Sequence, residues 1–205
     1  MWEQDAPGGR AWSVELPYLA TPSCLEYGDR MSIDARSLKT LIETELSTVS
    51  DARVVAYIRQ MLIEPHMVLR DWDYGEPGQQ YPCWMVLKGT EGSTGGEIAY
   101  CEFGFGPRSP WGLVSSGNDP QERAMGMDSG WFPTFLEAFF ESVASIGVPI
   151  WRVFQEKPDR TLCPLTDEGT WESTWERINN LRSSDPEGRY HCLHSVAYGQ
   201  KPAMR

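Results

Sequence analysis

The links between the strand-like segments of this chain are too short to hold a crossover helix. His66 to Trp72 and Tyr81 to Lys88 are rich in apolar and aromatic residues, and the stretch that joins them, DYGEPGQQ at 73–80, has Gly75, Pro77 and Gly78 placed to reverse the chain. The next link, GTEGSTGGE at 89–97, leads into Ile98 to Phe105, where Ala99, Cys101, Phe103 and Phe105 alternate with Ile98, Tyr100 and Glu102. Trp111 to Ser115 follows as a fourth strand candidate. A parallel pair needs a connection of about a dozen residues or more, usually a helix, so these segments must turn back on one another as a short antiparallel meander.

Helical periodicity brackets the meander. Leu38, Leu41, Ile42 and Leu46 recur at helical spacing between Asp34 and Leu46, and Ser50 opens a second such segment with Val54, Val55, Ile58, Met61 and Leu62, which Pro65 ends. After the polar loop GNDPQERA at 117–124, Thr134 and Glu137 form a capping-box pair directly behind Pro133. Phe135, Leu136, Phe139, Phe140 and Val143 then share one stripe of a helix running to Ser145. Pro149 to Gln155 reads as a strand, Thr170 to Leu181 as a helix with Trp171, Trp175, Ile178 and Leu181 on one face, and Tyr190 to Tyr198 as a closing strand. Residues 1–31 mix Pro, Gly and isolated aromatics, an irregular arm laid on the core through Trp12, Leu16, Tyr18 and Leu19. The pattern predicts an α+β fold, a mostly antiparallel sheet packed with about four helices in a single domain over 1–205.

Charge narrows the function. The chain carries 18 Lys and Arg against 29 Asp and Glu, a formal net charge of −11, and no basic cluster of the kind that neutralises phosphates, which argues against nucleic acid as partner. A protein with a basic surface is the natural counterpart, because opposite fields steer association. The opening MWEQDAPGGRAW lacks a basic, then apolar, export pattern, and no segment approaches the roughly 18 uninterrupted apolar residues of a membrane span, so a cytoplasmic protein without membrane contact is expected. Cys24, Cys83, Cys101, Cys163 and Cys192 are odd in number and never in C-x-x-C spacing, as in a reduced compartment.

Four constellations could carry chemistry. Gly126-Met127-Asp128-Ser129-Gly130 fits a G-x-D-x-G nucleophile elbow, but an elbow follows a buried strand, and here NDPQERAM precedes it. It also echoes the glycine-aspartate-serine-glycine run of trypsin-like proteases, without the Gly before Asp128 or a histidine in context. A turn with Asp128 and Ser129 bonded to backbone groups fits better. His191-Cys192-Leu193-His194 offers metal-ligand types, yet strand alternation puts Cys192 and His194 on one face and His191 on the other, which leaves the four converging ligands of a zinc site unmet. No metal or other cofactor is expected. Asp71, Asp73 and Glu76, interleaved with Trp72 and Tyr74, could bind a cation, act as paired acid and base, or present acceptors to an arginine-rich partner. Finally, Trp111 and Trp131 sit in glycine- and proline-flanked segments, where an aromatic residue is free to anchor a partner or a small ligand.

The segments YPCWMVLKG, EIAYCEFGFGPRSPWGLV and MGMDSGWFPTFLEAFFES, spread over residues 81–142, resemble small cytoplasmic bacterial proteins from toxin–immunity loci. The resemblance implies an immunity protein that binds and neutralises the toxin encoded beside it; it transfers no catalytic motif and no individual binding residue. From the residues and the resemblance together, the expectation is a non-catalytic binder whose Asp71, Asp73, Glu76 and Asp128 meet basic groups of the toxin while Trp72, Tyr74, Trp111 and Trp131 serve as anchors. The alternatives are a small hydrolase using Asp128 or the Asp71/Asp73 pair, and a sensor that holds a small ligand between the aromatic loops.

Overall fold

The computed structural model describes residues 33–89, 96–103, 105, 107–115 and 130–199. The arm at 1–31 and Asp128 lie outside the described residues. All of those described except Ile33 belong to one compact unit, Asp34–Arg205.

The unit is α+β, and each expected helix opens on a side-chain cap. Helix α1, Ala35–Leu46, starts where the Asp34 carboxylate accepts the Ser37 N–H at 2.7 Å, and α2, Ala52–Met61, where Asp51 accepts the Arg53 N–H at 2.9 Å. Leu38, Ile42 and Leu46 of α1, and Val54 and Ile58 of α2, form the buried stripes. Pro65 does not end α2 as the sequence predicted. The helix stops at Met61 and the chain passes directly into strand β1, Leu62–Asp71, with Pro65 at a break in register between Leu62 and His66, a place in a strand where a missing N–H costs least.

The meander forms as the short links require. Strands β2 (Gln80–Leu87), β3 (Glu97–Tyr100), β4 (Trp111–Val114) and β5 (Trp131–Phe132) follow β1 in one antiparallel sheet, in the order β1-β2-β3-β4-β5. A register shift between Met85 and Leu87 turns Val86 and Leu87 both inward, where neither is exposed. Strand β3 ends at Tyr100, short of the expected Phe105, and the Cys101 N–H instead donates to Pro110 O at 2.8 Å. The two-residue β5 is the element that alternation could not reveal. It pairs Gly112 with Trp131, whose ring lies so close over the glycine that a Cβ there would fall 2.8 Å from it.

Helix α3, Phe135–Glu141, covers the sheet face that carries Tyr100 and Trp111. Thr134 Oγ1 accepts the Glu137 N–H at 3.1 Å, and Phe135, Leu136, Phe139 and Phe140 are buried, as the capping-box pattern predicted. The helix is shorter than expected. The Ser142 hydroxyl and N–H both donate to Phe139 O and its backbone turns extended, so Val143 falls off the stripe into a short 3₁₀ turn, Val143–Gly147, and is exposed. Trp111 is 1% exposed and meets Phe135 edge-on at 5.4 Å.

A second antiparallel sheet of three strands, in the order β7-β6-β8, accounts for the C-terminal segments: β6 is Trp151–Glu156, β7 Leu162–Pro164 and β8 Arg189–His194. Helix α4, Trp171–Ser184, capped by Thr170, buries Ile178 against Val153 and Tyr190, with Trp175 and Leu181 beside them. The hairpin between β6 and β7 turns over Lys157 to Arg160, and Arg160 adopts φ 66°, a left-handed conformation normally left to glycine. No helix among the described residues is long and apolar enough to cross a membrane.

Candidate functional site: an aromatic platform edged by carboxylates

The β1–β2 loop is built to hold aromatic rings outward. Trp72 N–H donates to Gln79 O at 3.1 Å, Gly75 N–H to Trp72 O at 3.0 Å and Gln79 N–H to Glu76 O at 2.9 Å. The Gln79 side chain then ties the loop from within: its Oε1 accepts the Glu76 N–H at 3.0 Å and its Nε2 donates to the Tyr81 hydroxyl at 2.9 Å. That amide occupies the space a Cβ on Gly75 would need, and Gly78 turns the chain at φ 83°, which explains both glycines. Eight residues of polar, turn-forming character thus become a rigid support, because backbone groups that would otherwise need water are satisfied internally.

On that support the rings form a chain of contacts. Trp72 meets Tyr74 at 5.4 Å, Tyr81 at 5.8 Å and Phe105 at 5.3 Å between centroids; Phe105 meets Tyr74 at 6.5 Å and Trp131 at 5.6 Å; Phe103 stacks on Tyr81 at 5.7 Å. The inner members are anchored. Trp72, Tyr81, Phe103 and Trp131 pack against the buried cluster of Cys83, Met85, Ala99, Cys101 and Val114 on the meander. The outer members are not: Tyr74 is 54% and Phe105 46% exposed. Edge-to-face geometries of this kind add to the cohesion that area burial supplies.

Of the sequence-predicted site residues, the structure brings together Asp71, Trp72, Asp73, Tyr74 and Glu76 in the loop and joins Trp131 to them through Phe105. Asp71 closes β1 opposite Gln80, whose amide donates to its Oδ1 at 2.7 Å. Because β1 stops there, Asp73 belongs to the turn and shares no strand face with Asp71. Asp73 and Glu76 are exposed. Trp111 must be corrected outright: it lies under α3 and offers no surface to a partner. Its neighbours Pro110 and Gly112 suggested a loop, but the strand pairings of Gly112 and Trp111 to β3 and β5 place it in the core.

Phe105 and Arg70 were missed. Phe105 looked like the end of a strand, and only the early stop of β3 frees it to join the platform. Arg70 is 3% exposed and its guanidinium donates to Ser115 O at 2.9 Å, a carbonyl distant in sequence that no local pattern could supply. It lies near the Cys83 thiol, which in turn contacts Cys101. The Cys83 S–H bonded to Cys101 pushes the first thiol up and draws the second down, both fully buried.

The C-terminal constellation is organised but chemically quiet. On β8, Cys192 pairs with Val153 and His194 with Trp151, while His191 alternates away and bonds Glu156 at 3.0 Å. That bond, with Arg189 3.3 Å away, holds the Glu156 carboxyl below its ordinary range. His194 is stacked on Phe140 at 4.2 Å and meets the edge of Trp151, and burial lowers it. Burial also pushes the Cys192 thiol up to about 11. A cavity of about 370 Å³ is bounded by Phe140, Trp151, Trp171, Cys192 and His194, and burial there disfavours the charged form of both the thiol and the imidazole. Among the described residues no group of three or more His, Cys, Asp or Glu side chains is arranged to hold a metal ion.

No family model matches the chain, and comparison with curated proteins and with solved structures gives no match.

Proposed function

We propose that the chain is a non-catalytic binding protein of the immunity type, which neutralises a basic bacterial toxin in the cytoplasm by covering its active or substrate-binding surface. The observation that carries the reading is the platform: Tyr74 and Phe105 present wide aromatic area outward from rings fixed in the core, next to Asp71, Asp73 and Glu76 on a chain of net charge −11. Aromatic side chains bring large contact area at small cost in rotamer entropy, so anchors preset by packing lose little on binding. Carboxylates at the rim add rate and selectivity for a basic partner. The placement of Asp73 in the turn, off the strand that carries Asp71, weighs against the Asp71/Asp73 form of the hydrolase alternative. The cavity between β8 and the 3₁₀ turn favours, as a second reading, a sensor of a small ligand.

The test is dose. Co-expressed with the toxin gene adjacent to it, the protein should rescue growth in proportion to its own level and co-purify with the toxin at a fixed stoichiometry. Full rescue at amounts far below the toxin's would mean turnover, and the binding reading would then be abandoned.

A further inference from the structure

We propose that the outer edge of β1 is a second contact surface, where an extended segment of the partner, apolar at its centre and carrying Arg or Lys at its ends, adds a sixth strand to the five-stranded sheet. The inference rests on the binding role above and specifies how such a partner is held.

Strand β1 is the first of the sheet and, among the described residues, pairs with β2 alone. An edge of this kind offers unpaired backbone N–H and C=O groups, and proteins blunt such edges with proline, bulges, lysine or short strands. Here the proline and the break in register are confined to one half, and the one inward-turned charge of the other, Arg70, leaves the outer edge itself bare of such devices. Pro65 and the register break interrupt Leu62 to His66, whereas His66 to Asp71 run in unbroken register opposite Met85 to Gln80 and include neither Pro nor Lys. This unprotected half is also apolar on its open face. Met67 is 51% and Leu69 58% exposed, among the most exposed large apolar side chains described, while Val68 and Arg70 turn the other way, Val68 against the Cys83 cluster and Arg70 3% exposed.

Alternation puts Asp71 on the same face as Met67 and Leu69, and the strand then runs directly into Trp72 and the platform. A segment lying along β1 would set apolar residues over Met67 and Leu69, a cation across from Asp71, and its continuation against Tyr74. Backbone bonds supply the affinity and alternate side chains the selectivity, the usual division of labour in strand addition. A second copy of the chain is the poorer occupant, because it brings another −11 to the same edge, whereas a basic segment is drawn to it.

The experiment uses the full chain and the capped heptapeptide Arg-Thr-Val-Thr-Val-Thr-Arg, which presents the same pattern in either direction, with Glu replacing both Arg in a control peptide. The proposal predicts saturable binding of the basic peptide by calorimetry, slowed amide exchange confined to 66–71, and at least tenfold weaker binding of the control. Met67→Lys/Leu69→Lys changes two exposed side chains and should weaken binding at least tenfold with the circular dichroism unchanged, whereas Tyr74→Ala/Phe105→Ala should leave it within threefold. No binding, or binding unaffected by the lysines, overturns strand addition. So does slowed exchange at 66–71 that appears with protein concentration in the absence of peptide, which would assign the edge to a second copy. If the toxin still binds and only Tyr74→Ala/Phe105→Ala weakens that complex, the edge proposal falls and the platform reading stands; loss of toxin binding in neither variant removes the platform as well.

Discussion

Replacing Gly112 with alanine tests whether the platform is held from beneath. The added Cβ would fall 2.8 to 3.0 Å from three ring carbons of Trp131, closer than real contacts of that kind allow, so the indole must move. Overpacking a fitted site costs about 1–3 kcal/mol. The ring is wedged between the Gly112 backbone and Phe105, 5.6 Å away, and its displacement is passed to the exposed end of the platform. Trp131→Ala removes the ring, and since Trp131 is only half-buried its cost should lie below the about 3–5 kcal/mol of a fully buried aromatic. If the clash is the cause, Gly112→Ala should cost almost nothing once Trp131 is alanine, so the double-mutant cycle should show a coupling close to the whole cost of Gly112→Ala. Urea unfolding followed by far-ultraviolet circular dichroism gives the four stabilities without relying on the altered tryptophan. Equal cost of Gly112→Ala in both backgrounds, within about 0.5 kcal/mol, would refute the packing argument.

Phe139→Ala should lower stability by about 3–5 kcal/mol, since the side chain is fully buried under Tyr57 and Phe140; a loss below about 1 kcal/mol would mean the α3 stripe is not core. Glu45 accepts the Leu136 N–H at 3.0 Å at the start of α3, yet burial raises its pKa, so the folded state holds the proton more tightly than the unfolded chain. Its contribution is therefore full below the unfolded value near 4.5 and fades as pH rises through the folded one, and Glu45→Gln should gain on the wild type between pH 4 and pH 7. A urea midpoint for Glu45→Gln that falls relative to the wild type as pH rises over that range would contradict this sign. Cys192, pushed up to about 11, should react with iodoacetamide at pH 8 far more slowly than an ordinary exposed thiol, as mass spectrometry of the modified peptide would show.

What the sequence disclosed follows from the range of the forces involved. The caps at Asp34, Asp51, Thr134 and Thr170 are local, a side chain and an amide two or three residues apart; spacing identified the one at Thr134, whereas α2, expected to open at Ser50, is capped by Asp51. The antiparallel meander followed from link length. The two-residue β5 did not, because its pairing depends on Gly112 and Trp131 meeting across 18 intervening residues. The same limit explains Trp111, which local flanks made a surface anchor and long-range pairing buried. The loop carboxylates and aromatics were legible as a cluster because they are contiguous, whereas Phe105, which completes the platform, depends on where β3 happens to end. The division into two sheets also escaped, since nothing local in Trp151 to Glu156 tells which strands it will pair with.

The most direct test of the central claim is the association and dissociation of the complex with the adjacent toxin, measured by surface plasmon resonance over a salt series. Asp71→Asn/Asp73→Asn/Glu76→Gln should slow association and flatten its salt dependence with dissociation nearly unchanged, because rim charges act on encounter. Tyr74→Ala/Phe105→Ala should leave association alone and speed dissociation by roughly thirtyfold, the equivalent of a central anchor worth about 2 kcal/mol. Wild-type kinetics in both variants, with the fold intact, would show that the toxin is bound elsewhere or not at all and would contradict the account.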